Sequence, residues 1–225
     1  MSDPLIVIDA DVLGRRRTGD ETYITELLRA LPAVGDGLRF AAITRRPDLV
    51  PPGIEPIELP ARSQELRMAL RVPLLLRRLR PVLVHFVHSL PLALPCPAVL
   101  TVQDLSFESD ASLMGRRETA IFRFVVPRSA RRARRVLAIS QRTKDDLVER
   151  YRLSPSKIVV TPLAPDPAYV PGGLRGDYLL FVGAIEERKN PLLAAAAAEE
   201  NGRRLVVVGP ERDSGLLAEL HRRGA

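Results

Sequence analysis

Tryptophan is absent from this chain of 225 residues, and aromatic residues make up only 4% of it, so platforms on which nucleic-acid bases could stack are scarce. Cys96 is the single cysteine, which excludes an intramolecular disulfide and a cysteine-rich metal site. No apolar run approaches the roughly 20 residues that cross a bilayer. The stretch Met1–Pro4 lacks the features of a signal peptide, and we expect a cytoplasmic protein.

Positive charge is in excess, with 34 lysines and arginines against 27 acidic residues and a formal net charge of +7. Lysine occupies only positions 144, 157 and 189, and such a skew toward arginine commonly follows genome composition. Attraction to the phosphates of a nucleotide, a nucleic acid or anionic lipid is the functional alternative. Because nucleic-acid binding rests on charge alone, we do not expect it at useful affinity.

Short apolar runs alternate with helical patterns along the chain. Leu5–Asp9 predicts a buried strand, and the spacing of apolar residues predicts an amphipathic helix over Glu21–Leu31, ended by Pro32 and Gly35. Pro127 is expected to kink or split a later helix. Further strands are predicted at 38–43, 54–59, 82–87, 98–102, 136–139 and 158–161, and further helices at 63–71, 73–79, 116–133 and 140–151.

Strands that alternate with helices predict parallel sheets with right-handed crossovers. The fold class is therefore α/β, with a doubly wound, Rossmann-like domain over residues 1–161. Prolines and glycines at 162–176 indicate a linker. Residues 177–225 repeat the pattern as the start of a second Rossmann-like domain, with strands at 178–182 and 205–208 and helices at 191–201 and 214–223.

Ligands of doubly wound sheets bind beyond the carboxyl ends of the strands, so the residues there are site candidates. Gly19 lies where a helix begins, and backbone N–H groups there favour an anion such as a diphosphate, although an ordinary loop glycine fits equally well. His85 and His88 have no third metal ligand near them in sequence. We expect His85 to pack within its strand and His88 to lie in a loop near the cleft.

Gln103 and Asp104 follow the strand at 98–102. A carboxylate there could contact sugar hydroxyls or transfer a proton, although a turn or helix-capping aspartate is commoner. Ser140 follows the strand at 136–139 and is predicted to cap the next helix. We place Ser140 with His88 on the cleft side of the sheet.

Arg188 and Lys189 directly precede the helix predicted at 191–201. Cations are slightly unfavourable beside the positive end of a helix dipole. Their position is explained if a bound anion neutralises both, and a solvated basic loop is the alternative.

Six segments in order resemble the family-4 glycosyltransferases. They are TGDETYITELLRAL at 18–31, TVQDLSF at 101–107, VLAISQRTKDDLVERY at 136–151, KIVVTPLAPDPAYVP at 157–171, YLLFVGAIEERKNP at 178–191 and LVVVGP at 205–210. The resemblance implies the GT-B fold, in which two facing Rossmann-like domains hold the active site between them.

The resemblance also implies a reaction. A hexose would pass from a nucleoside-diphosphate sugar to a glycan or lipid-linked acceptor with retention, in polysaccharide or glycoconjugate biosynthesis, by a mannosyl- or glucosyltransferase-like enzyme. Gly19 would let its loop approach the donor diphosphate, and Lys189 with Arg188 would stabilise the diphosphate as it leaves. Gln103 and Asp104 would be the catalytic pair, and His88 and Ser140 would line the cleft where the acceptor binds. Neither a metal nor another cofactor is expected.

Three departures from the family pattern bear on activity. Gln103 stands where many members have a histidine, and an amide cannot take a proton at neutral pH. Ala184 stands where an arginine is frequent. The E-x7-E glutamates of the family's second domain are missing, and a complete donor domain would need roughly 150 more residues. We therefore expect a fragment that transfers no sugar alone, or an inactive remnant that binds a carbohydrate or a partner.

Arginines beside leucines at 63–80 suggest a peripheral contact with anionic lipid. A solvated amphipathic helix is the alternative.

Overall fold

Seven parallel strands form one sheet in the first part of the chain. The structure, a computed structural model, describes residues 3–15, 18–109, 116–165, 169–172 and 176–224. The strands are β1 (Leu5–Asp9), β2 (Arg39–Thr44), β3 (Glu55–Glu58), β4 (Leu83–Val87), β5 (Ala98–Val102), β6 (Arg135–Ala138) and β7 (Ile158–Val160).

Helices connect these strands. They are α1 (Thr18–Val34), α2 (Gln64–Leu66), α3 (Val72–Leu79), α4 (Ser106–Ser109), α5 (Arg116–Arg132) and α6 (Gln141–Tyr151). A π-helical turn, Arg67–Arg71, joins α2 to α3.

The strand order is β3-β2-β1-β4-β5-β6-β7, so it reverses between β1 and β4. Apolar residues cover both faces of the sheet: along β1, Val7 belongs to one buried cluster and Ile8 to the other, which contains Ile24 and Leu28 of α1. Burial on both faces explains why the strands are continuous apolar runs. A reversal in strand order opens a crevice at the carboxyl edge, here between β1 and β4.

Two helices of the first unit contain a proline. Helix α1 begins at Thr18, passes through Pro32 and ends at Val34, so the predicted stop at Pro32 is wrong. Pro32 sits in the last turn, where the backbone closes with a hydrogen bond from Gly35 N to Leu31 O of 3.0 Å. Helix α5 is continuous through Pro127, so the predicted split is absent, and the kink that was the alternative stays a prediction.

A second, smaller unit comprises residues 167–225, and the first unit comprises 1–166. In the smaller unit β8 (Tyr178–Val182) pairs in parallel with β9 (Arg204–Val208), and α7 (Pro191–Glu200) and α8 (Ser214–Arg222) supply the helices. Its apolar core is formed by Ile185, Ala195, Ala198, Leu205 and Leu220. The α/β prediction with two parallel sheets is confirmed.

Across the described part of the chain, none of the helices has the length and apolar character needed to cross a membrane.

Candidate functional site

The N-terminus of α1 lies against the residues that follow β4 and β5. A Cβ atom placed on Gly19 would lie 3.5 Å from Oε1 of Gln103, and Oδ1 of Asp20 lies 3.5 Å from Nε2 of His88. His88 N donates to Thr101 O of the neighbouring strand at 2.9 Å. The fold thus brings Gly19, His88 and Gln103 together at the carboxyl edge of the sheet, beside the reversal in strand order.

His88 has an unusual backbone. Its φ angle is +62°, in the left-handed region that non-glycine residues seldom occupy and that usually costs of order 1 kcal/mol or more. The ring lies 6.1 Å from the ring of Phe122, and Nδ1 is buried without a hydrogen-bond partner among the residues that the structure describes. Strain of this kind concentrates at functional sites.

Helix α6 fixes the backbone of Gln103. Oγ1 of Thr143 donates to Gln103 O at 3.0 Å, and Oγ of Ser140 accepts from Thr143 N at 3.1 Å. Ser140 is therefore the N-cap of α6, as predicted, whereas its role toward an acceptor stays a prediction. Nε2 of Gln103 is buried and, within the described ranges, has no hydrogen-bond acceptor.

Asp104 is exposed and engaged in a turn. Its Oδ1 accepts hydrogen bonds from the backbone N of Ser106, at 2.9 Å, and from Ser106 Oγ, at 2.7 Å. This geometry holds the start of the short helix α4. A catalytic role for Asp104 stays a prediction.

His85 is buried beneath the site. Its Nε2 lies 2.7 Å from Oγ1 of Thr101, which lies 2.9 Å from the hydroxyl of Tyr23. Burial lowers the pKa of His85 to about 4, so the imidazole is neutral at physiological pH. The prediction that His85 packs within its strand is confirmed. Among the described residues, histidine, cysteine and carboxylate side chains nowhere form a group of three that could hold a metal ion.

A second cluster lies at the carboxyl ends of β1 and β2, and sequence reasoning missed it. Arg67 is fully buried; its Nη2 pairs with Oδ1 of Asp9, and its Nη1 donates to Oδ2 of the same carboxylate at 3.2 Å. Nε of Arg67 lies 3.3 Å from Oδ1 of Asp11, which also pairs with Arg15 and Arg45. We call these five residues the arginine cluster.

Burial and neighbouring charges shift the pKa values of two residues of the arginine cluster. Burial raises the pKa of Asp11 although Arg67 opposes the change. Burial alone would lower the pKa of Arg67, but Asp9 and Asp11 hold it above its usual value. Oδ1 of Asp11 lies within ion-pair distance of Arg45 and Arg67 without an aligned hydrogen bond to either. The signal for this cluster in the sequence was the pair of aspartates at the end of β1 and just after it, Asp9 and Asp11.

In the second unit, Glu187–Lys189 forms a 3-10 turn immediately before α7. Arg188 Nη2 donates to Oε1 of Glu186 at 2.7 Å, so one of the two predicted cations is paired inside its own loop. Lys189 is exposed, and within the ranges that the structure describes its amine makes no ion pair. Oδ1 of Asn190 caps α7 by accepting from Leu193 N at 3.3 Å.

The sequence profile of Glycosyltransferase Family 4 matches residues 17–169. A search of curated proteins found no match. The fold is similar to that of a glycosyltransferase from Rickettsia africae ESF-5, with a TM-score of 0.61, 16% identity, and 99% of this chain and 65% of that chain covered.

Two further solved structures share the fold. AviGT4, a glycosyltransferase involved in avilamycin A biosynthesis, has a TM-score of 0.56 and 18% identity, with 99% of this chain and 61% of that chain covered. The S. aureus MnaA–UDP co-structure has a TM-score of 0.57 and 12% identity, with 98% and 65% covered. This chain thus spans 65% or less of the length of these neighbours. Since the family profile matches more than half of the sequence, the chain belongs to glycosyltransferase family 4.

Proposed function

We propose that this chain supplies the acceptor side and the first part of the donor side of a retaining glycosyltransferase. The enzyme transfers a hexose from a nucleoside-diphosphate sugar to a glycan or lipid-linked acceptor in polysaccharide or glycoconjugate biosynthesis. The observation that carries the proposal is the position of Gly19 in the first turn of a 17-residue helix, against Gln103 and beside the reversal in strand order.

Each residue has a distinct role in this proposal. Gly19 leaves the backbone N–H groups of the first turn open to a diphosphate oxygen. Lys189 neutralises charge that develops on the leaving diphosphate. Gln103 holds a sugar hydroxyl through its amide, and the acceptor oxygen attacks an oxocarbenium-like centre on the face that the diphosphate leaves. None of these roles requires a metal ion.

One structural neighbour supports a uridine nucleotide as the donor to test first. The S. aureus protein was solved with UDP, and it shares only the fold with this chain. We therefore place UDP-hexoses before GDP-hexoses in the donor series.

A matched pair of charge variants tests the diphosphate role. Lys189→Gln removes a cation at the carboxyl edge of β8, and Arg204→Gln removes an exposed one at the amino end of β9. Titration with UDP or GDP, followed by calorimetry and ³¹P NMR, should show binding weakened about ten-fold by the first change, the scale of one charge-assisted hydrogen bond. Equal binding by wild type and Lys189→Gln would contradict the role.

Turnover is tested separately. Nucleotide sugars and a glycolipid extract are incubated with a protein that also carries the rest of the donor domain, products are identified by mass spectrometry, and the anomeric configuration is read by NMR. An α-linked product from an α-linked donor supports retention. An inverted product would overturn that part of the proposal.

A second candidate is a non-catalytic module that binds a carbohydrate or a partner. Gln103 favours it, because an amide in this place cannot take up a proton. Saturable binding of oligosaccharides without turnover of any donor, in a protein that also carries the rest of the donor domain, would support this candidate over the enzyme.

We also propose a peripheral contact with the cytoplasmic face of an anionic membrane. Leu66, Leu70 and Leu74 are 42%, 50% and 52% exposed at intervals of four residues, and Arg77 and Arg78 are exposed at the end of α3. Leu70→Glu with Leu74→Glu should abolish co-sedimentation with phosphatidylglycerol vesicles, whereas Val34→Glu, which alters an exposed residue of α1, should not. Sedimentation that is independent of anionic lipid would reject the contact.

A further inference from the structure

A chain of hydrogen bonds runs beneath the candidate site and links three elements of the first unit. The hydroxyl of Tyr23 in α1 lies 2.9 Å from Oγ1 of Thr101 in β5, and that oxygen lies 2.7 Å from Nε2 of His85 in β4. Thr101 is fully buried, and the rings of Tyr23 and His85 meet edge to face with their centroids 6.2 Å apart. The chain therefore ties helix α1 to two neighbouring strands.

Both ends of the bond between Tyr23 and Thr101 lie close in sequence to residues of the candidate site. Gly19 and Tyr23 are four residues apart in α1 and so share a face of the helix. Thr101 precedes Gln103 by two residues, and its carbonyl oxygen accepts the hydrogen bond from His88 N at 2.9 Å. Thr101 thus contacts the elements that carry all three residues gathered at the carboxyl edge of the sheet.

The hydrogens of the two hydroxyl groups decide which bonds the chain can make. Each hydroxyl has one hydrogen to donate and can also accept. The imidazole of His85 is neutral, so its Nε2 can accept. In the arrangement that uses both hydroxyl hydrogens within the chain, Tyr23 donates to Thr101 and Thr101 donates to His85. Removal of the Tyr23 hydroxyl would then leave Thr101 and His85 bonded to each other.

The bond between Tyr23 and Thr101 contributes more to geometry than to stability. A neutral intramolecular hydrogen bond adds little net free energy, since it replaces bonds to water. Tyr23 also packs against the buried cluster that contains Ile24 and Leu28, and this packing does not need the hydroxyl. Apolar packing is non-directional, whereas a hydrogen bond requires a defined distance and angle. The bond therefore fixes where α1 lies along β5.

We infer that Tyr23 and Thr101 are positioning residues, whose hydrogen bond holds the first turn of α1 against Gln103. The consequence for the ligand rests on the proposed function. If that function holds, the bond sets the distance between the N–H groups that bind the diphosphate and the amide that binds the sugar. Tyr23 and Thr101 act through this placement and do not themselves touch the nucleotide sugar.

Three variants of the full chain separate positioning from stability. Tyr23→Phe removes the hydroxyl and keeps the ring, so its unfolding temperature should stay within about 4 °C of wild type. Thr101→Ser keeps the hydroxyl but removes a buried methyl group, so it should unfold at a lower temperature and retain the bond to Tyr23. Tyr151→Phe is the matched control, because the hydroxyl of Tyr151 donates to Oε1 of Glu108 at 2.8 Å instead.

Nuclear Overhauser effects measure the position of the helix directly. A Cβ placed on Gly19 would lie 3.5 Å from Oε1 of Gln103, so the Hα atoms of Gly19 and the side-chain amide of Gln103 should give a cross-peak in wild type. Tyr23→Phe should weaken or abolish this cross-peak, whereas Thr101→Ser and Tyr151→Phe should retain it. A cross-peak of wild-type strength in Tyr23→Phe would overturn the inference, as would its absence from wild type.

Calorimetric titration with UDP and GDP connects the positioning to the ligand. Thr101→Ser and Tyr151→Phe should bind like wild type, and Tyr23→Phe should bind about ten-fold more weakly, the scale of one lost hydrogen bond. Equal affinity in wild type and Tyr23→Phe would overturn the role of this bond in donor binding. If wild type binds neither nucleotide while the cross-peak changes as expected, the donor proposal fails and the positioning of α1 stands.

Discussion

At the scale of single residues, His85 links the stability of the fold to pH. Its ring is buried with a pKa of about 4, against about 6.5 in an unfolded chain. Between these two values the unfolded state binds a proton that the folded state does not. The contribution of His85 to the free energy of unfolding is therefore complete above pH 6.5. As the pH falls toward 4, the free energy of unfolding decreases by about 3 kcal/mol because of this residue.

Urea unfolding at several pH values measures this contribution. In His85→Gln the amide can still hydrogen-bond Thr101, but nothing titrates, so the variant should lose less stability between pH 6.5 and pH 4 than wild type does. His221→Gln, which changes an exposed histidine of α8, should follow wild type. Identical pH slopes for wild type and His85→Gln would refute the prediction.

Gly19 allows binding and stability to be separated. A Cβ at this position would meet Gln103 Oε1 at 3.5 Å, an ordinary contact, so Gly19→Ala should fold. Alanine favours a helix over glycine by up to about 1 kcal/mol, and the unfolding temperature should hold or rise. Its methyl group would still cover the first-turn N–H groups, so UDP or GDP should bind about ten-fold more weakly by calorimetry. Unchanged nucleotide affinity would remove Gly19 from the donor site.

At the scale of elements, a close backbone approach joins the carboxyl ends of β8 and β9. A Cβ on Gly209 would lie 1.8 Å from the carbonyl oxygen of Gly183, and that oxygen belongs to backbone fixed by a hydrogen bond from Gly183 N to Val208 O of 2.9 Å. Gly209→Ala should therefore separate the two strands. A Cβ on Gly183 meets only the ring of Phe181, at 3.5 Å, and Gly183→Ala is the matched control.

Hydrogen exchange of residues 178–208 measures the effect on this sheet. Gly209→Ala should lower amide protection in β8 and β9 and leave protection in β1–β7 unchanged, because the clash lies entirely in the second unit. Wild-type protection in β8 would show that the strands can accommodate the methyl group.

Most strands and helices could be predicted from the sequence, because a strand that is buried on both faces is a continuous run of apolar residues. The run Leu5–Asp9 is a strand with the predicted bounds, and β5 and β8 also match. Helix ends were harder to predict. Proline removes one backbone hydrogen bond, which predicts a stop at Pro32, but the last turn continues beyond it and Gly35 N donates to Leu31 O. Ser140 could be predicted as an N-cap, because the hydrogen bond of an N-cap reaches only three residues along the chain, here to Thr143 N.

Functional sites are harder to predict from the sequence, because the residues that contact one another in a site are distant along the chain. The pattern of arginines beside leucines at 63–80 predicts exposed guanidinium groups. Arg67 is instead fully buried against Asp9, 58 residues earlier. Only the fold reveals that pairing, and the π-helical turn at Arg67–Arg71 has no sequence signal that we recognise. Gly19, His88 and Gln103 were each predicted at a strand or helix end, and their contact follows from the parallel order of β1, β4 and β5.

At the scale of the whole molecule, the excess of arginine is largely engaged within the protein. Arg29, Arg39 and Arg46 each pair with an acidic side chain. Arg132 donates to the carbonyl oxygens of Pro91 and Leu92 at 2.8 Å and 2.7 Å. Such contacts commit guanidinium groups to acidic side chains and to the backbone, whereas proteins that bind nucleic acid keep clustered arginines and lysines available for phosphates.

Because these arginines are already paired, we expect only weak, nonspecific contact with nucleic acid in spite of the net charge of +7. Fluorescence anisotropy with a labelled 20-mer duplex should give affinities no tighter than about 10 µM near 0.15 M salt, in the range of nonspecific electrostatic binding. The same measurement at several salt concentrations should show the affinity falling with a shallow slope, because few phosphates are contacted at once. Submicromolar binding with a steep slope would mean that the arginines form a continuous surface after all, and the basic composition would then have a function of its own.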